Sequence, residues 1–231
     1  MKSPVWCLAV LAGWLLSCVG PDEAEPQAID SHSAAIDAQV TELLARTASC
    51  NPVSSDKYKT DFELGATVPI CSLTGAYFWK ADMDIDCDGL SSPQCNHNTD
   101  PWYQAQTSAQ DSHGRWLDAA TLPYVVIPLP SNRFNYHNRD IQLGQVVAVI
   151  YNGKLRFGVF GDEGPSQIIG EASYAMATAL GIDPDPASGG VDSGVTYIVF
   201  TGNDAVAHRL EDTVEAAAIG NRRVQQLLQQ N

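Results

Sequence analysis

The pair Asn152-Gly153 stands between two runs of β-forming residues, Val146–Tyr151 and Leu155–Phe160. A two-residue hairpin turn needs φ > 0 at both central positions, which Asn and Gly tolerate, so this stretch reads as an antiparallel hairpin. The second run meets Gly161-Asp162-Glu163-Gly164-Pro165, where two glycines and a proline predict an end to regular structure. Ile168-Ile169-Gly170 then leads to Glu171, and Ala172–Gly181 is expected as a short helix with Met176, Ala179 and Leu180 on one face and Gly181 as its stop. Asp162 is thus placed at a strand end and Glu171 at a helix start. Nine extended residues would span ~30 Å, but the turn after Asp162 folds the chain back. Two carboxylates on the rim of a rigid scaffold suggest acid–base chemistry.

The remaining elements point the same way. Tyr124–Ile127, between Pro123 and Pro128, is a short buried strand, and the apolar continuity of Val195–Phe200 marks a central one. Ala34–Thr47 carries Ile36, Val40, Leu43 and Leu44 at helical spacing, while Glu211–Ala218 and Arg222–Gln229 read as a closing helix interrupted at Gly220-Asn221. Asp183–Ser193 is a Pro/Gly/Asp loop able to border a cleft. The expected fold is mainly β with flanking helices, an α+β single domain over residues 34–231.

Upstream, Gly75–Lys80 is strand-like and passes through Trp79 and Lys80 into Asp82-Met83-Asp84-Ile85-Asp86-Cys87-Asp88-Gly89. On a strand, period two puts Asp82, Asp84 and Asp86 on one face. Like charges in a row are costly unless a cation lies against them. Asp84-x-Asp86-x-Asp88-Gly89 copies the start of a calcium loop, but Cys95 occupies the twelfth position, where a bidentate Glu is required, so a standard EF-hand is excluded while a looser calcium site is not. The other candidate cation is the ammonium of a polymeric amine. Trp79 and Lys80 complete the candidate binding strand, and Trp102, Tyr103 and Trp116 lie in a polar segment where loop aromatics can stack on sugars or act as buried anchors.

Charge narrows the partners. Asp+Glu 27 against Lys+Arg 13 gives a net −14, which repels nucleic acid and attracts polycations. Residues 1–18 combine Lys2 with the apolar run Val5–Leu16, the pattern of a signal peptide too short to span a bilayer. Leu15-Leu16-Ser17-Cys18 resembles a lipobox, so Cys18 is a candidate lipid anchor, with plain cleavage near Gly20 as the alternative. Residues 19–33 read as a flexible linker. The protein is therefore expected to be exported, either secreted or anchored as an outer-membrane lipoprotein, and to be a monomer. Cys50, Cys71, Cys87 and Cys95 suit an oxidising compartment; four cysteines allow three pairings, of which Cys50–Cys71 and Cys87–Cys95 close the short loops. No CxxC and no histidine at zinc spacing occurs, and neither a metal nor a cofactor is assigned. Phosphate-loop and nucleophile-elbow patterns are missing as well.

GVFGDEGP followed by IIGEAS, with AYFWKADMDIDCDG upstream, resembles the chitosanases of glycoside hydrolase family 75, from about Ala76 to Phe200. The resemblance implies endo-hydrolysis of β-1,4-glucosamine linkages in chitosan by an inverting mechanism without cofactor, with Asp162 and Glu171 as the two essential acids. At a helix start the dipole would stabilise ionised Glu171, while burial and the field of Asp82, Asp84 and Asp86 would raise its pKa. The assignment taken is Asp162 as base and Glu171 as acid, with the exchange of roles left open. The resemblance favours Asp82, Asp84 and Asp86 as holders of substrate ammonium groups. A weaker similarity, the turn before Gly-Pro and the Ala-rich helix, is shared with rare lipoprotein A and the expansins, and it implies a double-psi β-barrel-like fold. The competing readings are a peptidoglycan-cleaving enzyme on that scaffold, a non-catalytic wall-polysaccharide-binding lipoprotein, and a calcium-dependent structural protein.

Overall fold

A computed structural model describes residues 25–230, with side chains from Ala34 onward. The signal sequence, the candidate anchor Cys18 and the start of the linker lie outside the described residues. Seven strands form one sheet: β1 (Cys71–Leu73), β2 (Ala76–Asp86), β3 (Tyr124–Pro128), β4 (Val146–Tyr151), β5 (Lys154–Gly164), β6 (Glu171–Ser173) and β7 (Val191–Phe200). The order β2-β6-β3-β5-β4-β7 closes through a β2–β7 pairing, and β1 adds to the outside of β2. The mainly-β barrel expectation therefore holds. Pairs β2–β6 and β3–β5 are parallel and the other barrel pairs antiparallel. Asn152 (φ 45°) and Gly153 (φ 76°) make the β4–β5 turn as their chemistry requires.

Hydrophobic side chains sort onto the two faces of this sheet. One cluster takes Trp79, Met83, Val125, Val149, Phe160, Ala172 and Tyr197, so that every barrel strand contributes. The other, including Phe78, Val126, Ala148, Val159 and Ile198, packs outward against the helices α1 (Glu25–Arg46) and α3 (Thr213–Gln229). The short α2 (Tyr174–Leu180) ends at Gly181 in the left-handed conformation expected of a stop. Both short-loop disulfides are present, and Cys87–Cys95 pins the chain directly beyond the acidic end of β2. Among the described residues no helix is long and apolar enough to cross a membrane.

Four local expectations are corrected. The helix read as starting at Ala34 begins at Glu25, so most of the segment taken for a linker is helical. Strand β5 does not stop at Phe160: Asp162, Glu163 and Gly164 pair with Val126, Ile127 and Pro128, and a neighbouring strand's hydrogen bonds override the local glycine signal. The last helix is continuous through Gly220, where an added Cβ would lie 2.2 Å from the Phe157 ring. That glycine allows close helix–sheet approach rather than breaking the helix. Glu171 is a strand residue; the cap of α2 is Ser173, whose hydroxyl accepts from the Met176 N–H.

Candidate active site

The two carboxylates singled out above hang from strands on either side of β3. Asp162 of β5 pairs with Val126, and Val126 pairs on its other edge with Glu171 of β6. Glu171 pairs in turn with Asp84 of β2. Residues paired across a sheet project to the same face, so Asp162, Val126, Glu171 and Asp84 form one row. Two interstrand spacings put the Asp162 and Glu171 Cα atoms ~9.5 Å apart. A Cβ built on Gly164 would lie 3.3 Å from Glu171 Oε2, so that carboxyl lies over the end of β5, close to the segment that carries Asp162.

Asp162 is 6% exposed. Its Oδ1 accepts from the Ser108 N–H (2.8 Å), the Ser108 hydroxyl (2.6 Å) and the Glu163 N–H (2.7 Å). Burial still holds its pKa above the usual carboxylate range, while those donors pull it down. Glu171 is half-buried. Desolvation, then the charges of Asp84, Asp162 and Asp88, push it up to about 8. With Glu171 on a strand, no helix dipole opposes that rise.

The acidic strand does not present three equal carboxylates. Asp84 is exposed, yet partial desolvation by the surrounding chain, then the nearby Asp61 and Asp192, raise it to about 6. Asp82 is 7% exposed, lies against Gly170, and is pushed to about 8 by burial and then by Asp84. Asp86 is 5% exposed and raised well above the ordinary range by burial and by Glu171, Asp162 and Asp88. One oxygen from each of Asp86, Asp88 and Asp162 lies within 4.8 Å of the others. The Asp86 Oδ1 accepts the Asp88 N–H at 2.6 Å, and the Asp88 Oδ1 accepts the Gln104 N–H at 2.6 Å.

Trp79 must be withdrawn from the binding set. It is 1% exposed, on the inner face of the barrel, and its ring stacks on Tyr197 at 5.3 Å between centroids. Alternation along β2 turns it away from the aspartates. Lys80 is exposed, opposite Thr196 of β7. Of the loop aromatics, Tyr103 is a buried anchor donating to the Gly89 carbonyl, Trp116 is half-buried, and Trp102 is 86% exposed. The site also contains residues that sequence reasoning missed: Ser108, which holds Asp162, and Asp61, Asp100 and Asp192, whose charges bear on the acidic row. Ser108 is 54 positions from Asp162; no local spacing announces such a contact.

The family described as "Fungal chitosanase of glycosyl hydrolase group 75" matches residues 83–228, which include Asp162 and Glu171. Endo-chitosanase B of Aspergillus oryzae is 35% identical over 164 residues, 68% of this chain and 67% of that protein. Endo-chitosanase C of the same fungus is 40% identical over 136 residues, 57% of this chain but only 33% of the relative. An endo-chitosanase of Aspergillus fumigatus is 31% identical over 160 residues, 63% of this chain and 67% of the relative. Among solved structures, the Streptomyces papain inhibitor aligns with a TM-score of 0.32 and 20% identity over 58% of this chain and 99% of its own, too low to bear on function. With the family match covering more than half of its length, the chain belongs to glycosyl hydrolase group 75 and is a glycoside hydrolase.

Proposed function

We propose that the protein is an exported endo-chitosanase that hydrolyses β-1,4-glucosamine linkages with inversion. The observation that carries this reading is the Asp162–Val126–Glu171 row, two acids separated by one strand, with Asp84 next in the row and Asp86 and Asp88 close by. Inverting hydrolases hold their carboxyl groups ~6.5–9.5 Å apart, leaving room for a water, and a Cα separation of ~9.5 Å, with the Glu171 carboxyl leaning over the end of β5, is compatible with that interval. Glu171, protonated at neutral pH with its pKa near 8, suits the general acid that protonates the leaving oxygen. Asp162, with three donors on one oxygen, suits the base that takes a proton from the attacking water on the other face of the ring. Both roles follow from environment rather than from residue type.

Asp84, exposed and next to Glu171 in the row, is the best placed of the three strand aspartates to meet a substrate ammonium. Asp82 and Asp86 are buried and their pKa values are raised by that burial, so neither offers a bound amine an exposed, ionised oxygen. Lys80 is available to a sugar hydroxyl at the edge of the strand.

The test is an assay of purified protein on chitosan, chitin and peptidoglycan with products sized and their anomeric form read by NMR. Release of α-anomeric oligomers from chitosan alone is expected. Release from peptidoglycan alone, or retention on insoluble polysaccharide without products, would replace this reading with one of its competitors. In the same assay Glu171→Gln should lose about 10²–10⁴-fold in kcat while its circular dichroism spectrum is unchanged. Wild-type turnover by that variant would remove Glu171 from the mechanism.

A further inference from the structure

Two exposed aromatic side chains, Phe62 (58% exposed) and Trp102 (86% exposed), belong to loops whose neighbouring groups reach different ends of the acidic strand. Single exposed hydrophobics are ordinary on a protein surface, so exposure alone says little. What distinguishes these two is how their loops are tied to the site. The Phe62 loop is anchored at Lys59, whose N–H donates to the Gln167 carbonyl (2.9 Å) and whose carbonyl accepts the Ile169 N–H (3.0 Å), two residues before Glu171. The Lys59 ammonium donates to the Phe62 carbonyl at 2.8 Å, fixing the turn from within. At the other end, the Trp102 N–H donates to the buried Asp100 carboxylate (2.8 Å), and the Gln104 N–H donates to Asp88 (2.6 Å). Each aromatic is therefore held on a short, braced loop beside the row rather than on a free one.

Charge places the loops at different ends. Asp61, adjacent to Phe62, bears on Asp82 and Asp84. Asp100, two residues before Trp102, bears on Asp88 and Glu171. From residue 82 to residue 88 an extended strand covers ~20 Å. A glucosamine oligomer presents both groups that such an arrangement recognises: ammonium groups along its length and the apolar C–H faces of its rings.

We infer that Phe62, with Asp61 beside it, and Trp102 are sugar-stacking platforms that form outer subsites on opposite sides of the scissile linkage. This rests on the chitosanase reading and adds to it a dependence on chain length. A substrate long enough to touch both platforms gains binding from each; a trimer, too short to bridge them, gains little from either.

The experiment compares Phe62→Ala and Trp102→Ala with the wild-type chain on the glucosamine hexamer and trimer. Each variant should raise the hexamer KM about fivefold with kcat little changed and the trimer KM unaltered. In end-labelled hexamer the preferred cut should move in opposite directions in the two variants. An unchanged hexamer KM in both variants, or an equal loss on trimer and hexamer, would overturn the assignment while leaving the chitosanase reading intact. Failure of the wild type to cut the hexamer would overturn the chitosanase reading, and this one with it.

Discussion

What each oxygen already holds favours the division of labour proposed for Asp162 and Glu171. Three donors on Asp162 Oδ1 favour its ionised form, whereas Glu171 sits among like charges that favour its neutral one. The pH dependence follows in sign. The proposed mechanism needs Glu171 protonated and Asp162 ionised, so kcat/KM should fall on the alkaline side near pH 8, and on the acid side at a pH above the ordinary carboxylate range. Ser108→Ala removes one of the three donors, so the acid limb should move to higher pH while the alkaline limb stays in place. A pH–rate profile of that variant checks it, and an unmoved acid limb would show that the hydroxyl does not tune the base. Asp84→Asn should raise KM for chitosan selectively, because Asp84 alone of the three strand aspartates is exposed to a bound amine.

At the scale of elements, the close approach of α3 to β5 through Gly220 is directly testable. Gly220→Ala forces a methyl group against Phe157 and should cost about 1–3 kcal/mol in denaturant unfolding, with turnover per folded molecule unchanged. The same contact shows what the sequence could and could not disclose. Hairpin, helix stop and central strand were legible because each is written in neighbouring residues: Asn152-Gly153, Gly181, and the unbroken run Val195–Phe200. Gly220 looked like a break because its reason, the ring of Phe157, lies far away along the chain. The extension of β5 to Gly164 depends in the same way on Val126–Pro128. The candidate pair Asp162 and Glu171 could be named from local spacing, but its geometry could not: Glu171 belongs to a strand because Asp84 and Val126 pair with it, which no helical periodicity can report. Trp79 misled because its neighbours on the strand point the other way.

For the molecule as a whole, the acidic row stores a pH-dependent cost. Asp82, Asp88 and Glu171 have folded-state pKa values of about 8, 7 and 8, above the carboxylate values of an unfolded chain. The folded protein thus binds protons more tightly than the unfolded one, so the stabilisation from these groups is complete below about pH 4 and is lost as pH rises through 7 to 8. The melting temperature should fall between about pH 5 and pH 9, and a flat or rising curve by differential scanning calorimetry would contradict this account. A bound polyamine neutralises the same charges, so an excess of glucosamine oligomer added to the Glu171→Gln chain should recover part of the loss near neutral pH, where its amines still carry protons.

One backbone strand, β3, stands between the two acids, so their spacing is set by ladder pairing and not by the loop that joins them. Under the proposed mechanism, lengthening or shortening the connection at residues 165–169 should therefore leave the anomeric outcome unchanged, since the gauge that sets it lies in the barrel wall.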